Sequence, residues 1–97
     1  MAKAKSLISK TTPEFWRHYA LLPERAQRLA DKCYRLWQSD PNHRSIRFKR
    51  LEGHPTFYSA RVGIHYRTIA QREGDLMIWV WIGHHSEYDA LLRRRRK

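Results

Sequence analysis

The sequence predicts an α+β fold, an N-terminal helical hairpin packed on a roughly four-stranded antiparallel sheet with a short C-terminal helix. Three observations predict it. Apolar residues from Ala26 to Trp37 recur at three- and four-residue spacing, whereas from Ile46 onward they recur at every second position. Proline followed by an acid occurs twice near the start, at Pro13-Glu14 and Pro23-Glu24, which is how helices open. Turn residues at Glu52-Gly53-His54-Pro55, Gly63 and Glu73-Gly74-Asp75 cut the second half into a meander of strands.

Taken in order, residues 1–11 form a polar, basic arm with a short edge strand around Ser6 to Ser9. Thr12 caps a first helix that carries Phe15, Trp16 and Tyr19 and stops at Leu22-Pro23. The second helix aligns Ala26, Leu29, Ala30, Cys33, Leu36 and Trp37 in one apolar stripe, with Arg25, Arg28, Lys32 and Arg35 largely outside it. Ser39-Asp40-Pro41-Asn42 ends that helix. Ile46 and Phe48 alternate with Arg47 and Lys49, a half-buried strand with a cationic outer face. Tyr58, Ala60 and Val62 alternate with Phe57, Ser59 and Arg61, and after Gly63 the series Ile64, Tyr66, Thr68 alternates with His65, Arg67 and Ile69. The last strand, 76–82, is apolar on both faces, as a central or covered strand requires. Glu87 to Leu92 forms the final helix, and Arg93 to Lys97 is a basic tail.

At 97 residues the chain is a single domain, 1–97, with one modest core. An apolar fraction of 41% with 12% aromatic residues excludes wholesale disorder. Twenty Lys and Arg against nine Asp and Glu leave a net charge of +11, which favours polyanionic partners. Cys33 is the one cysteine, so an intrachain disulfide and a multi-cysteine zinc site are excluded. No apolar run approaches a membrane span and no signal peptide is visible, so no membrane partner is expected and the cytoplasm is the expected location. P-loop and dinucleotide fingerprints are missing. His85-Ser86-Glu87 lacks the P-C-x-x-C that would make it a deaminase motif. His84, His85 and Glu87 make a poor cation site in so basic a chain, and neither a metal nor a cofactor is expected.

The stretch Ile82-Gly83-His84-His85-Ser86-Glu87-Tyr88 follows directly on the apolar run and sets titratable groups at the exit of a buried strand. Imidazoles and a phenol beside many arginines suit chemistry on a phosphodiester. The cations Arg47, Lys49, Arg50, His65, Arg93 and Arg94 are the candidates for holding a nucleic-acid backbone.

Three segments, Ser45-Ile46-Arg47-Phe48-Lys49-Arg50-Leu51, Tyr58-Ser59-Ala60-Arg61-Val62-Gly63-Ile64-His65-Tyr66-Arg67 and Trp81-Ile82-Gly83-His84-His85-Ser86-Glu87-Tyr88, resemble the RelE/ParE superfamily of toxins from bacterial type II toxin–antitoxin systems. The resemblance runs from about Thr12 to Leu92. It implies two helices on an antiparallel sheet, a cognate antitoxin as partner, and either ribosome-dependent mRNA cleavage or, for ParE-like members, inhibition of DNA gyrase. In the mRNA-cutting branch Arg67 corresponds to the strand arginine, Arg61 to a basic position on the preceding strand, and His85 and Tyr88 to the C-terminal histidine and tyrosine. Arg61, Arg67, His85 and Tyr88 are therefore the expected catalytic residues of a metal-independent endoribonuclease, with the ribosome and mRNA as partners. Ser59 stands where that branch has a lysine, a departure that a non-cleaving, RNA-binding relative would also show.

Overall fold

Thr12 starts helix α1 (Pro13–Ala20): its Oγ1 accepts the Phe15 amide at 3.1 Å, and Pro13 fills the first helical position, where no amide is needed. Pro23 precedes α2 (Glu24–Ser39), whose Ala26, Ala30 and Trp37 are buried. The two helices are tied where they turn. Tyr19 Oη donates to Asp31 Oδ1 at 2.9 Å, and Gln27 Nε2 donates to the Tyr19 carbonyl at 3.0 Å. Burial and that carboxylate raise the pKa of the Tyr19 phenol, keeping the hydroxyl a donor.

The computed structural model describes residues 8–95, so residues 1–7 of the expected arm and residues 96–97 of the tail lie outside the described residues. Strands β1 (Ile8–Thr11), β2 (Lys49–Arg50), β3 (Phe57–Val62), β4 (Tyr66–Glu73) and β5 (Leu76–His84) form one sheet in the order β1-β5-β4-β3-β2, and α3 (His85–Arg95) follows. The α+β class stands, but the sheet is five-stranded and mixed: β1 lies parallel to β5 while the other pairs are antiparallel. What holds β1 is mainly backbone. Ile8 N donates to Asp75 O at 2.8 Å and Thr12 N to Trp79 O at 3.2 Å, while Trp79 Nε1 donates to Ser9 Oγ at 2.9 Å. A strand with exposed Ile8 and no alternating apolar side chains leaves little pattern to read.

The strand expected at Ile46–Lys49 is also corrected. Residues 41–48 are turns and irregular chain, and β2 is two residues long. Arg47 has φ of 51°, in the left-handed region, which breaks an extended run. Ile46 is nonetheless buried, 1% exposed, and its carbonyl accepts the Arg61 amide at 2.6 Å. Ile64 is likewise no strand residue; it is exposed in the turn between β3 and β4.

The helical hairpin covers one sheet face through two clusters, one around Trp37, Ile46, Ala60, Met77 and Trp79, the other around Leu22, Ala26, Val62 and Ile82. A cavity of about 310 Å³, lined by Phe15, Tyr19, Cys33 and Trp37 among others, remains between hairpin and sheet. The other face is partly covered by α3, through Leu51, Ile69 and Tyr88 with Trp81, Leu91 and Leu92 around them. Among the described residues no helix is long and apolar enough to cross a membrane.

Gly63 has φ of 65°, and a Cβ built there would lie 2.5 Å from Leu29 Cδ2. Gly63→Ala thus incurs both left-handed strain and overpacking against α2. An expected destabilisation of about 1–3 kcal/mol follows. Gly53→Ala, at φ 79° but in open space, should lose only the backbone part. Urea midpoints of the two variants measure the difference, and equal losses would remove the Leu29 contribution.

Candidate nucleic-acid interface

Antiparallel register decides which cations meet. Arg61 stands directly opposite Arg67, and Arg67 directly opposite Gly83, so these residues form one row across β3, β4 and β5 on the sheet face that α3 partly covers. Because the Arg61 amide bonds Ile46, the row is extended outward to Arg47. Desolvation first, then the charges of Arg47 and Arg67, lower the pKa of Arg61 below the ordinary guanidinium value. Among the described residues none of the three makes an ion pair. Arg67 Nη1 instead donates to the Tyr66 carbonyl at 2.8 Å, which fixes its direction. Three crowded guanidiniums that make no ion pair among the described residues have the chemistry to hold an external anion, such as a phosphate.

Lys49 is the register partner of Ser59, so it joins this face one row further on. A cation therefore stands across the strand from the position where the mRNA-cutting pattern has a lysine. Arg50, by contrast, is opposite Tyr58, whose ring packs in the hairpin-side core, so the register assigns Arg50 to the other face. Arg93 and Arg94 are exposed on α3, and Arg94 borders a cleft of about 580 Å³ that also touches His84, Glu87 and Leu21. Arg93, Arg94 and the following residue continue the helix, which begins two residues before the expected Glu87 and runs past Leu92.

At the exit of β5 the histidines gather. The His85 amide donates to the His65 carbonyl at 2.8 Å, which clamps the start of α3 to the turn before β4. His65 and His84 rings are near parallel, 9° apart with centroids at 6.3 Å, and His84 and His85 centroids are 4.4 Å apart. Each of the three offers a nitrogen within 4.8 Å of the others. His84 is half-buried and lies edge-on to Tyr66, and its Nδ1 accepts the Ser86 amide at 3.2 Å and lies 3.0 Å from Ser86 Oγ. His85 Nδ1 is 3.9 Å from Asp89 Oδ2. The sequence alone hides this group, because joining His65 to His85 requires the β4–β5 register.

Tyr88 does not join the histidines in solvent. It is 8% exposed, packed with Leu51 and Ile69, and its hydroxyl has no hydrogen-bond partner among the described residues. Gly83 explains how α3 approaches. A Cβ there would lie 2.6 Å from the Trp81 ring and 2.9 Å from Glu87 Oε1, so only glycine leaves room for both over the strand.

The family described as the ParE-like toxin domain matches residues 24–90 of the chain. The chain belongs to that family. Compared by sequence with curated proteins, this ParE-like toxin domain matches none. Solved structures share its fold. A chain of the RelB–RelE antitoxin–toxin complex from Methanococcus jannaschii is 21% identical, with 84% of this chain and 96% of that chain covered at a TM-score of 0.66. YafQ from E. coli BL21(DE3) is 13% identical over 84% of this chain and 97% of its own, at 0.68. The YoeB dimer from Staphylococcus aureus is 10% identical over 84% and 99%, at 0.63. At these identities the likeness is one of fold.

Proposed function

We propose that this ParE-like toxin domain is the toxin of a toxin–antitoxin pair and a metal-independent endoribonuclease that cuts mRNA on the ribosome. The observation that carries the reading is the row Arg47, Arg61 and Arg67, three neighbouring guanidiniums that make no ion pair among the described residues. Membership of the toxin family and a fold shared with RelE–RelB and YafQ structures support it.

In this reading Arg61 and Arg67 hold the oxygens of the scissile phosphate and stabilise the charge that grows on them. The RNA 2′-oxygen attacks phosphorus and gives its proton to His85, and the bond to the 5′-oxygen breaks. That leaving oxygen takes a proton from the same imidazole group, where His65 and His84 stand within 4.8 Å of His85. His65, in the turn before β4, and His85, at the start of α3, lie two residues from Arg67 and Gly83, roughly 7 Å if the chain is taken as extended, within the span of an arginine side chain. Tyr88, buried in the α3 core, orders the helix rather than the substrate. Lys49, Arg93 and Arg94 add backbone contacts, and the antitoxin partner carries acidic residues over the arginine row, because covering unpaired cations is otherwise costly.

Primer extension on a translated mRNA after induction is expected to show cuts inside codons. The burial of Tyr88 and the serine at position 59 favour a second reading, inhibition of DNA gyrase without RNA chemistry. Intact transcripts together with loss of supercoiling by purified gyrase would establish that reading instead.

A further inference from the structure

We infer that His65, His84 and His85 form a binding site for one divalent late transition-metal ion, of the zinc, nickel or copper class. The three rings come from two segments that a backbone hydrogen bond already clamps together, His85 N to His65 O at 2.8 Å. Each supplies a nitrogen within 4.8 Å of the other two. Metal–imidazole bonds of roughly 2.0–2.1 Å in a tetrahedral site bring ligand nitrogens to about 3.3 Å from each other. The remaining closure of about 1.5 Å is a matter of side-chain rotation. The rings are free to make it, since His65 is exposed and the other two are half-exposed.

Two of the rings also have an oxygen on the Nδ1 side: Ser86 Oγ at 3.0 Å from His84 and Asp89 Oδ2 at 3.9 Å from His85. Asp89 lies on the Nδ1 side of His85, where a small rotation lets it accept that ring's proton and leaves Nε2 for a metal. His84 Nδ1 instead accepts the Ser86 amide at 3.2 Å, so this ring gives up that bond on binding an ion, either turning Nδ1 to the metal or carrying the proton there to free Nε2. Three neutral imidazoles with a fourth position left to water suit late first-row divalent ions, and do not suit magnesium or calcium, which take oxygen ligands. The high net charge of the chain weakens cation binding, but Asp89 and Glu87 on the first turns of α3 are the acids on the helix that bears His85.

An ion held there takes up the lone pair of His85. If His85 moves the proton in RNA cleavage, a consequence that rests on the function proposed above, zinc is an inhibitor of cleavage and the metal and the reaction compete for one side chain.

Isothermal titration of untagged, chelator-treated protein with zinc chloride tests the site. One ion per chain is expected, with affinity lowered at least about tenfold by His65→Ala or His84→Ala and about tenfold by Asp89→Asn. His54→Ala, a histidine beside Phe57 rather than in the group, should leave it unchanged. Circular dichroism of each variant checks that the fold is retained. Absence of saturable binding, or equal weakening by His54→Ala, overturns the site whatever the cleavage assay gives. Zinc binding of the expected kind with undiminished mRNA cutting overturns the competition, and with it the role of His85, while the site stands.

Discussion

Arg67→Ala is expected to lower mRNA cleavage by about 10²–10³-fold, and Arg61→Ala by a similar factor, the usual loss when one preorganised donor to a developing anion is removed. Lysine at position 67 should recover little, because a point charge cannot reproduce the planar fork that Arg67 presents while one Nη stays on the Tyr66 carbonyl. The same substitutions should not destabilise the fold. Arg61 is crowded by Arg47 and Arg67, so removing one guanidinium relieves repulsion. Melting temperatures equal to or above that of the parent, alongside lost cleavage, would mark the row as functional. A double Arg61→Ala, Arg67→Ala variant that still cuts transcripts would remove RNA chemistry from this face altogether.

The sequence made the helical hairpin and the meander readable because both rest on side-chain periodicity. Ala26, Ala30 and Trp37 recur at helical spacing, and Ala60 and Val62 alternate, since each must reach the same core. An edge strand was expected around Ser6 to Ser9, but its run to Thr11 and its parallel pairing with β5 were not legible, because backbone groups and Ser9 hold it rather than an apolar pattern. The break at Arg47 escaped for a related reason. Ile46 and Phe48 do face the core, but a left-handed residue lies between them, and arginine is not the residue type that announces such a turn. In the site, Arg61 and Arg67 were visible as a strand pattern, yet their placement side by side depends on the turn at Gly63. Tyr88 was expected among the catalytic residues through the resemblance. The structure shows α3 turning it onto Leu51 and Ile69, a contact that depends on where the helix packs and not on local spacing.

Trp37→Ala is expected to cost about 3–5 kcal/mol, the range for removing a large buried aromatic side chain. The indole is 4% exposed and meets Trp79 edge-on at 5.1 Å and Phe48 at 5.6 Å, so its loss opens the main cluster at its centre. For a domain whose whole stability is on the order of 5–15 kcal/mol, that is roughly a fifth or more. Trp37→Phe should behave differently. The indole Nε1 is buried with no hydrogen-bond partner among the described residues, and phenylalanine removes this orphaned donor while keeping a ring against Trp79. A loss below about 2 kcal/mol is expected, since relief of the buried donor offsets part of the lost area. Urea unfolding of both variants decides the point; equal losses would mean that the N–H contributes to stability. The alanine variant also reaches function. Ile46 and Phe48 pack on Trp37 from either side of Arg47, whose left-handed backbone persists only while its neighbours hold it. With that support removed, Arg47 should leave the arginine row, and the salt dependence of RNA binding should flatten by a slope of roughly 0.7–0.9 for the phosphate no longer neutralised.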